Sequence, residues 1–185
     1  MLAERLPQWI GSLLSITGLR EDLQVAHVTA QKWIRILEKL FVLYRLPPLG
    51  GVKIRAVKKE QKAYLWDWSG VPEPGPRFEN MVAGHLLKYC HFMENTQGRR
   101  MELRYIRDTD KREVDFVALQ EGKPIFAVES QISDKASLDS LAYFSERLPI
   151  PKFYLVHRGQ KDYEHATLPL RVLPFEKFVS ELQIP

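Results

Sequence analysis

The chain has 185 residues, of which 45% are hydrophobic and 27% are charged, with a formal net charge of +4. This length accommodates one medium domain or two small ones, and the composition excludes a disordered, collagen-like or disulfide-scaffold chain. No run approaches the roughly 18 apolar residues that a membrane span needs. The first residues, MLAERLPQW, show no basic region followed by an apolar one, so we expect no secretion signal. Because Cys90 is the only cysteine, no internal disulfide can form, and we expect a cytoplasmic protein without membrane contact.

The charge is unevenly distributed along the chain. Residues 1–71 carry a net charge of +5 and residues 72–185 a net charge of −1. A basic first third is compatible with a phosphate-facing surface and equally with an ordinary solvated face. Residues 69–76, with three prolines and two glycines, are not expected to sustain a helix or a central strand. We therefore predict a domain over residues 1–70, a linker over 71–76 and a second domain over 77–185.

The first domain has helical periodicity. Apolar residues from Leu6 to Leu14 recur at helix spacing up to Thr17, which predicts a first helix with Gly18 as its C-cap. Thr29 is a suitable N-cap for a second, longer helix. The apolar face predicted for that helix consists of Trp33, Ile36, Leu37 and Leu40. A short helix, a turn and a long helix together form a helix-turn-helix arrangement.

A β-wing is predicted to follow the second helix. Turn signals at Pro47-Pro48 and Gly50-Gly51 precede a basic stretch from Lys53 to Lys62 and a strand at 63–66. A winged helix inserts the polar face of its second helix into the major groove of duplex DNA and lays its wing along the phosphates. The alternative is a packing or protein-contact module whose charges are only solvated. The candidate DNA contacts are Gln31, Lys32, Arg35, Lys53, Arg55, Lys58 and Lys59.

The second domain begins with a helix at about residues 77–91 and continues mainly as strands. The predicted strands cover residues 101–107, 113–119, 124–131, 152–157 and 171–173. A helix through Leu138, Leu141 and Phe144, capped by Ser133 or Asp134, separates the third and fourth strands, and a helix over 175–182 closes the chain. A strand-helix-strand unit beside a β-meander predicts a mixed sheet with helices on both faces. The predicted fold class is α/β (α+β).

The chemistry is expected in the hairpin of the second and third strands. With Gly122 at the centre of the turn, cross-strand partners have residue numbers that sum to 244. This register pairs Phe116 with Val128 and Leu119 with Ile125. It also places Asp115 directly opposite Glu129, with backbones roughly 5 Å apart. Two carboxylates are therefore predicted side by side at the end of a buried hairpin.

Opposed carboxylates need a proton or a cation between them. Mg²⁺, or Mn²⁺ in its place, would satisfy the pair, polarise a phosphoryl oxygen and activate a bound water for phosphodiester hydrolysis. Gln131 lies on the same face as Glu129, where its amide can hold a water or a phosphate oxygen. The alternative is a structural pair that is neutralised by an arginine, for which the candidates are Arg104, Arg107 and Arg112.

These residues carry a family resemblance. Residues 113–117 (EVDFV) and 124–131 (PIFAVESQ), preceded by 78–80 (FEN) in a helix, resemble the PD-(D/E)XK or restriction-endonuclease-like superfamily. With the upstream helix-turn-helix and 44–48 (YRLPP), the chain more narrowly resembles the uncharacterised C-terminal region of a family of prokaryotic AAA-type ATPases. The resemblance covers nearly the whole chain. It implies an N-terminal winged helix-turn-helix followed by a restriction-endonuclease-like domain with a mixed sheet.

The resemblance implies a metal site and departs from its pattern at one position. It implies Asp115 and Glu129 as metal ligands and Glu79 as the helix carboxylate that completes the site. Gln131 stands where the superfamily usually has a lysine, and glutamine supplies hydrogen bonds without a positive charge. Some members of the wider superfamily resemble this chain in having glutamine there, and Lys135 is a candidate substitute. Glu79 has an alternative explanation, because an acid in the first turn of a helix is stabilised by the helix dipole.

The ATPase portion of that family has no counterpart in the sequence. The chain contains no G-x-x-x-x-G-K-[ST] motif, so we expect no ATP site of the P-loop type. Either a nucleotide-binding domain has been removed from a longer protein, or this chain is a stand-alone remnant of the family. The leading hypothesis is a nuclease-like protein that binds double-stranded DNA. The alternative is a non-catalytic DNA-binding or protein-interaction module that works with an AAA-type ATPase domain.

Overall fold

The computed structural model describes residues 2–50, 60–133 and 138–184. These residues form a mixed α+β fold with a helical N-terminal region and a six-stranded mixed sheet, as the fold class predicts. Among the described residues, no helix is long and apolar enough to cross a membrane.

The N-terminal region begins with α1 (Leu2–Arg5), continues with a 3₁₀ turn (Leu6–Trp9), and then forms α2 (Ile16–Leu23). The predicted helix over residues 6–17 is wrong, because this segment bonds to a strand instead. The Gly11 N–H donates to the Ala63 carbonyl (3.2 Å) and the Leu14 N–H to the Gln61 carbonyl (2.8 Å). Gly18 is not a C-cap either, since it lies inside α2 and donates its N–H to Ser15 Oγ (3.1 Å).

The long helix α3 (His27–Lys39) is present, but it buries a different face from the predicted one. It begins two residues before Thr29, and its N-cap is Ala26 without a side-chain cap. Ala30 and Ile34, one turn apart, are buried in the main core, and Leu37 packs against it. The predicted core residues Trp33, Ile36 and Leu40 are instead 38%, 42% and 65% exposed.

A two-stranded antiparallel hairpin follows α3. Its strands are β1 (Leu43–Leu46) and β2 (Lys62–Leu65), paired from Leu43 with Leu65 to Leu46 with Lys62. The strand predicted at 63–66 is confirmed with bounds one residue earlier, while the assignment of these elements to a winged helix remains a prediction. Four predicted DNA contacts lie outside the described residues: Lys53, Arg55, Lys58 and Lys59.

The next helix, α4 (Pro74–Gln97), starts inside the predicted linker. The prediction that residues 71–76 exclude a helix is wrong from Pro74 onward. Proline is tolerated there because the first N–H groups of a helix have no acceptor within the helix. Val71 is fully buried, so this connection packs against the core, and the proposed domain boundaries remain a prediction.

The sheet has the strand order β3-β4-β5-β6-β8-β7. Strands β3 to β5 are antiparallel, β5, β6 and β8 are parallel, and the edge strand β7 is antiparallel to β8. The strands are β3 (Met101–Arg107), β4 (Glu113–Gln120), β5 (Lys123–Gln131), β6 (Phe153–His157), β7 (Tyr163–Glu164) and β8 (Leu170–Pro174).

The predicted helices cover both faces of this sheet. Residues of α4 and of the closing helix α6 (Phe175–Glu181) belong to one core cluster, and residues of α5 (Asp139–Ser145) belong to the other. The N-cap of α5 is Leu138, without a side-chain cap, so Ser133 does not cap the helix. The other candidate cap, Asp134, and the candidate substitute Lys135 lie outside the described residues.

The register predicted for β4 and β5 is confirmed in the middle of the hairpin. Phe116 pairs with Val128, Val117 with Ala127 and Ala118 with Phe126. Nearer the turn, Leu119 pairs with Pro124 and not with Ile125. The two central residues of the turn, Glu121 and Gly122, both have positive φ. A register shift between Ala118 and Leu119 moves the centre of the turn away from Gly122, where the prediction placed it.

A second irregularity lies between β3 and β4. Arg104 pairs with Val117 but Ile106 pairs with Val114, so two residues of β4 lie opposite Tyr105 alone. Such a bulge breaks the alternation of side chains and turns one of them toward a new neighbour. The two residues involved are Asp115 and Phe116.

Candidate carboxylate site

Asp115 is buried at the end of the β4–β5 hairpin, with 7% of its surface exposed. Its Oδ2 accepts hydrogen bonds from the Ser130 N–H (3.0 Å) and the Ser130 hydroxyl (2.8 Å). Its own N–H donates to Glu129 Oε2 (3.4 Å), and Gln131 Nε2 lies 3.5 Å from Glu129 Oε1. The predicted neighbours Asp115, Glu129 and Gln131 are therefore brought together.

Lys62 extends from β2 into this group of carboxylates and is only 1% exposed. Its ammonium lies 2.5 Å from Glu113 Oε1, 3.0 Å from Glu79 Oε1 and 3.3 Å from Asp115 Oδ1. Three carboxylates from β4 and α4 thus share one buried cation from the N-terminal hairpin. We call Lys62, Glu79, Glu113, Asp115 and Glu129 the carboxylate cluster.

Glu79 joins the cluster from α4. Its Oε1 accepts hydrogen bonds from the Tyr64 hydroxyl (2.8 Å) and from Lys62 Nζ (3.0 Å). Gly11 lies against the same carboxylate, since a Cβ built at Gly11 would be 2.8 Å from Glu79 Oε2. Because α4 starts at Pro74, Glu79 is its sixth residue, and the explanation by a first-turn helix dipole is wrong.

The pKa values of the cluster reflect burial and mutual repulsion. Burial, followed by the charge of Asp115, raises the pKa of Glu79 to about 7 from an ordinary value of 4.5. The same two causes raise the pKa of Glu129 well above its ordinary value. Burial opposes the charge on Lys62, but Asp115, Glu79 and Glu113 together raise its pKa above the usual range. The lysine is therefore held as an ammonium ion, and the carboxylates are in excess.

The three arginines considered as neutralising partners do not reach Asp115. Arg104 bonds to Glu102, and Arg112 bonds to Asp108 (2.7 Å) and Asp110 (3.0 Å). Arg107 donates to Glu113 Oε2 (2.6 Å) and so reaches the edge of the carboxylate cluster. The prediction that one of these arginines neutralises Asp115 is therefore wrong, because the cation that contacts Asp115 is Lys62.

The donor set of the cluster does not suit a divalent cation in this arrangement. Both oxygens of Asp115 have internal donors, one being the Lys62 ammonium and the other Ser130. The Lys62 ammonium lies 2.5–3.3 Å from three carboxylates. It therefore occupies the position in which the electrostatic attraction of these carboxylates for a cation would be strongest. Within residues 2–50, 60–133 and 138–184, no three His, Cys, Asp or Glu side chains are arranged to hold a metal ion.

The remaining predicted DNA contacts lie on α3. Lys32 and Arg35 are exposed, and Gln31 is half-buried. Exposed apolar side chains surround them, including Val28 (73%) and Ile36 (42%). The solvent face of α3 is thus a mixture of cationic and apolar side chains, which we call the α3 face.

Sequence reasoning missed Lys62, Glu113 and Ser130 as members of the site. Lys62 was interpreted as the end of a basic, phosphate-facing stretch. Its contacts with Glu79 and Asp115 join residues that are 17 and 53 positions apart in the chain. Local sequence patterns do not predict contacts between residues so far apart in the chain. A usable signal is that Lys62 directly precedes an apolar run, Ala63-Tyr64-Leu65, in a predicted strand.

Comparison with known proteins gives family matches for both parts of the chain. Residues 74–178 match the family described as Domain of unknown function (DUF4143), and residues 1–70 match the one described as Domain of unknown function (DUF8612). Comparison with curated proteins gives no match. A solved Thermococcus gammatolerans assembly of McrB AAA+ hexamers with bound McrC shares 11% identity at a TM-score of 0.38, covering 56% of this chain and 28% of that chain. So distant a likeness bears on neither fold nor function.

Proposed function

The chain belongs to the DUF4143 family of domains of unknown function, and we propose that it is a non-catalytic interaction module that works with an AAA-type ATPase. Family membership assigns no activity, so the proposal rests on the site. The observation that carries it is the Lys62 ammonium within 3.3 Å of three carboxylates. The carboxylate cluster therefore has a structural role, because it joins the N-terminal hairpin to α4 and to the sheet.

Metal-dependent phosphodiester hydrolysis is the function that the sequence favours first. It needs carboxylate oxygens that are free to bind a cation and a bound water that can be activated. The internal donors to Asp115 and Glu79 compete with both requirements. The Gln131 amide adds no positive charge that would stabilise a pentacovalent phosphate. These contacts support the non-catalytic alternative over hydrolysis.

The α3 face supports a protein partner. Val28 and Ile36 on α3, with Leu40 and Phe41 directly after its end, are between 42% and 73% exposed. Apolar groups gain free energy when a protein partner covers them and gain little beside solvated phosphates. The resemblance to the C-terminal region of AAA-type ATPases supports an ATPase domain as that partner.

The test of this partnership is a pairwise binding assay against each AAA-type ATPase domain encoded in the same genome, with purified proteins. We expect one ATPase to bind and Ile36→Asp to weaken that binding at least tenfold. Ile132→Asp is the matched control, because Ile132 is 40% exposed and Ile36 is 42% exposed. Equal effects of the two substitutions, or no binding by any ATPase, would contradict the proposal.

A second candidate function is binding of double-stranded DNA at the same face. The observation that favours it is the exposure of Lys32 and Arg35 on α3. A duplex mobility-shift assay separates the candidates. Binding that is lost in the Lys32→Ala, Arg35→Ala double variant and kept in Ile36→Asp would assign the α3 face to DNA.

A further inference from the structure

A groove follows the outer side of α4, opposite Glu79. Its floor consists of residues three or four positions apart, which form one stripe on a helix. The stripe is Arg77, Met81, Gly84, Lys88 and His91, with His85 beside it. Glu79 and the buried residues Val82, Ala83 and Leu86 lie on the other side of the helix. The groove is therefore separate from the carboxylate cluster.

Two cavities make up this groove. One has a volume of about 470 Å³ and the other about 320 Å³, and Trp68 lines both. Each volume is within the range of sites that hold small planar groups. In the smaller cavity, Gly84 leaves open space above the helix, since a Cβ built there would meet nothing within 4 Å. A flat ring can approach the backbone of α4 at this point.

Aromatic side chains form the walls of the groove. The indole rings of Trp66 and Trp68 are 42% and 37% exposed, which is unusual for tryptophan. Edge contacts with Phe41 (5.5 Å) and Tyr44 (5.3 Å) hold Trp66 in place. Rings that are fixed by their neighbours and still exposed provide platforms on which another ring can stack.

The charge lining the groove is mainly positive. Arg77, Lys88 and Arg158 line the two cavities, and Glu176 is the acidic member among the described lining residues. The Arg77 guanidinium donates to the Val71 and Pro72 carbonyl oxygens, which orient it without neutralising its charge. A cationic groove is complementary to an anionic ligand.

We propose that this groove binds single-stranded nucleic acid. The bases stack on Trp66 and Trp68, and the phosphates lie near Arg77, Lys88 and Arg158. A strand carries one planar ring for each negative charge, which matches aromatic walls beside a cationic floor. An acidic peptide would satisfy the charges but would leave the indole platforms without stacking partners. A duplex has its bases stacked on each other and cannot place them in the groove.

The test is a titration of the full chain with an oligothymidylate of twelve nucleotides. Binding is measured by the quenching of tryptophan fluorescence and, separately, by the fluorescence anisotropy of a labelled strand. We expect Trp68→Ala to weaken binding at least fivefold. We expect Lys88→Ala to weaken it and to reduce its salt dependence. Gly84→Leu adds a side chain to the floor of the smaller cavity, where a Cβ has open space, and it should weaken binding at least fivefold.

Matched controls come from other surfaces. Tyr163→Ala removes an exposed aromatic side chain (43%) from the edge strand, and Lys123→Ala removes an exposed lysine from the start of β5. Both should bind as the wild type does. Circular dichroism establishes whether each variant is folded. If Trp68→Ala does not fold, the binding measured for Gly84→Leu still tests the proposal.

Three results would overturn the proposal. The first is no binding of the oligothymidylate by the wild type. The second is equal binding by Gly84→Leu and the wild type. The third is displacement of the strand by an equal concentration of a twelve-residue polyglutamate, which would assign the groove to acidic peptides. The inference does not depend on the ATPase partnership, because no ATPase is present in the assay.

Discussion

Lys62 differs from an ordinary surface lysine in what surrounds its ammonium. Burial of a lone charge is costly, and three carboxylates within 3.3 Å offset that cost. Removing one partner of such a group is strongly destabilising, because the remaining charges stay buried without compensation. The stability of the chain should therefore depend on this one side chain.

Lys62→Met should lower the free energy of unfolding by about 3–5 kcal/mol. The physical reason is that Asp115, Glu79 and Glu113 lose the cation they share. Urea denaturation measures the effect, and Lys123→Met, at the exposed first residue of β5, is the control with a change of about 0.5 kcal/mol or less. Adding Asp115→Asn to Lys62→Met should recover part of the loss. A Lys62→Met protein as stable as the wild type would contradict this prediction.

Glu79 should give the chain an unusual dependence on pH. Its pKa is about 7 in the folded state against an ordinary 4.5, so the folded protein retains a proton that the unfolded chain releases. Stability therefore falls as the pH rises from about 4.5 through about 7. The raised pKa of Glu129 acts in the same direction.

Glu79→Gln should make this fall shallower, by an amount on the order of 2–3 kcal/mol between pH 4.5 and 8. Denaturation curves across that range measure it. Glu146→Gln is the control, because the Glu146 side chain is 69% exposed. If the wild type gains stability with rising pH over this window, the environment assigned to Glu79 is wrong.

At the level of elements, the sequence predicts the C-terminal sheet better than the N-terminal helices. The strands at 101–107, 113–120 and 123–131 are segments of alternating or consecutive apolar residues between clear turn signals, and local pattern is enough to place them. Residues 10–14 are helical in their periodicity, but hydrogen bonds to Gln61 and Ala63 draw them into a strand-like path. Such nonlocal bonds override local propensity.

The bulge opposite Tyr105 is a feature of the sheet that local sequence pattern does not predict. The cross-strand register of β4 and β5 predicts that Asp115 and Glu129 are neighbours, and this is what carries the candidate site. The register shift against β3 has no local sequence signal. The sequence therefore indicates which carboxylates meet, while the lysine that faces them depends on the tertiary packing of the hairpin.

Gly11 brings the N-terminal segment against the Glu79 carboxylate of α4. Its φ is +72°, and a Cβ there would be 2.8 Å from Glu79 Oε2. Gly11→Ala should therefore cost about 1–3 kcal/mol of stability. Gly75→Ala is the control, because a Cβ at Gly75 meets nothing within 4 Å. Equal stability of the two variants, measured by thermal denaturation, would exclude the close contact.

On the scale of the whole molecule, the carboxylate cluster connects the two parts of the chain. Lys62 and Tyr64 come from the N-terminal hairpin, Glu79 from α4 and Asp115 from the sheet. The main core is also continuous across the predicted boundary, since it contains Leu65, Val71 and Phe78. A module built this way presents the α3 face and the α4 groove in a fixed relation to each other.

The most direct test of the central claim is calorimetric titration of Mg²⁺ and Mn²⁺ into the purified wild type, with Asp115→Asn beside it and a plasmid-nicking assay on both samples. The Lys62 ammonium already occupies the carboxylate cluster, so we predict no stoichiometric binding of either ion and no nicking. Stoichiometric binding by the wild type that is lost in Asp115→Asn, with nicking that follows it, would contradict the account and establish a metal-dependent nuclease.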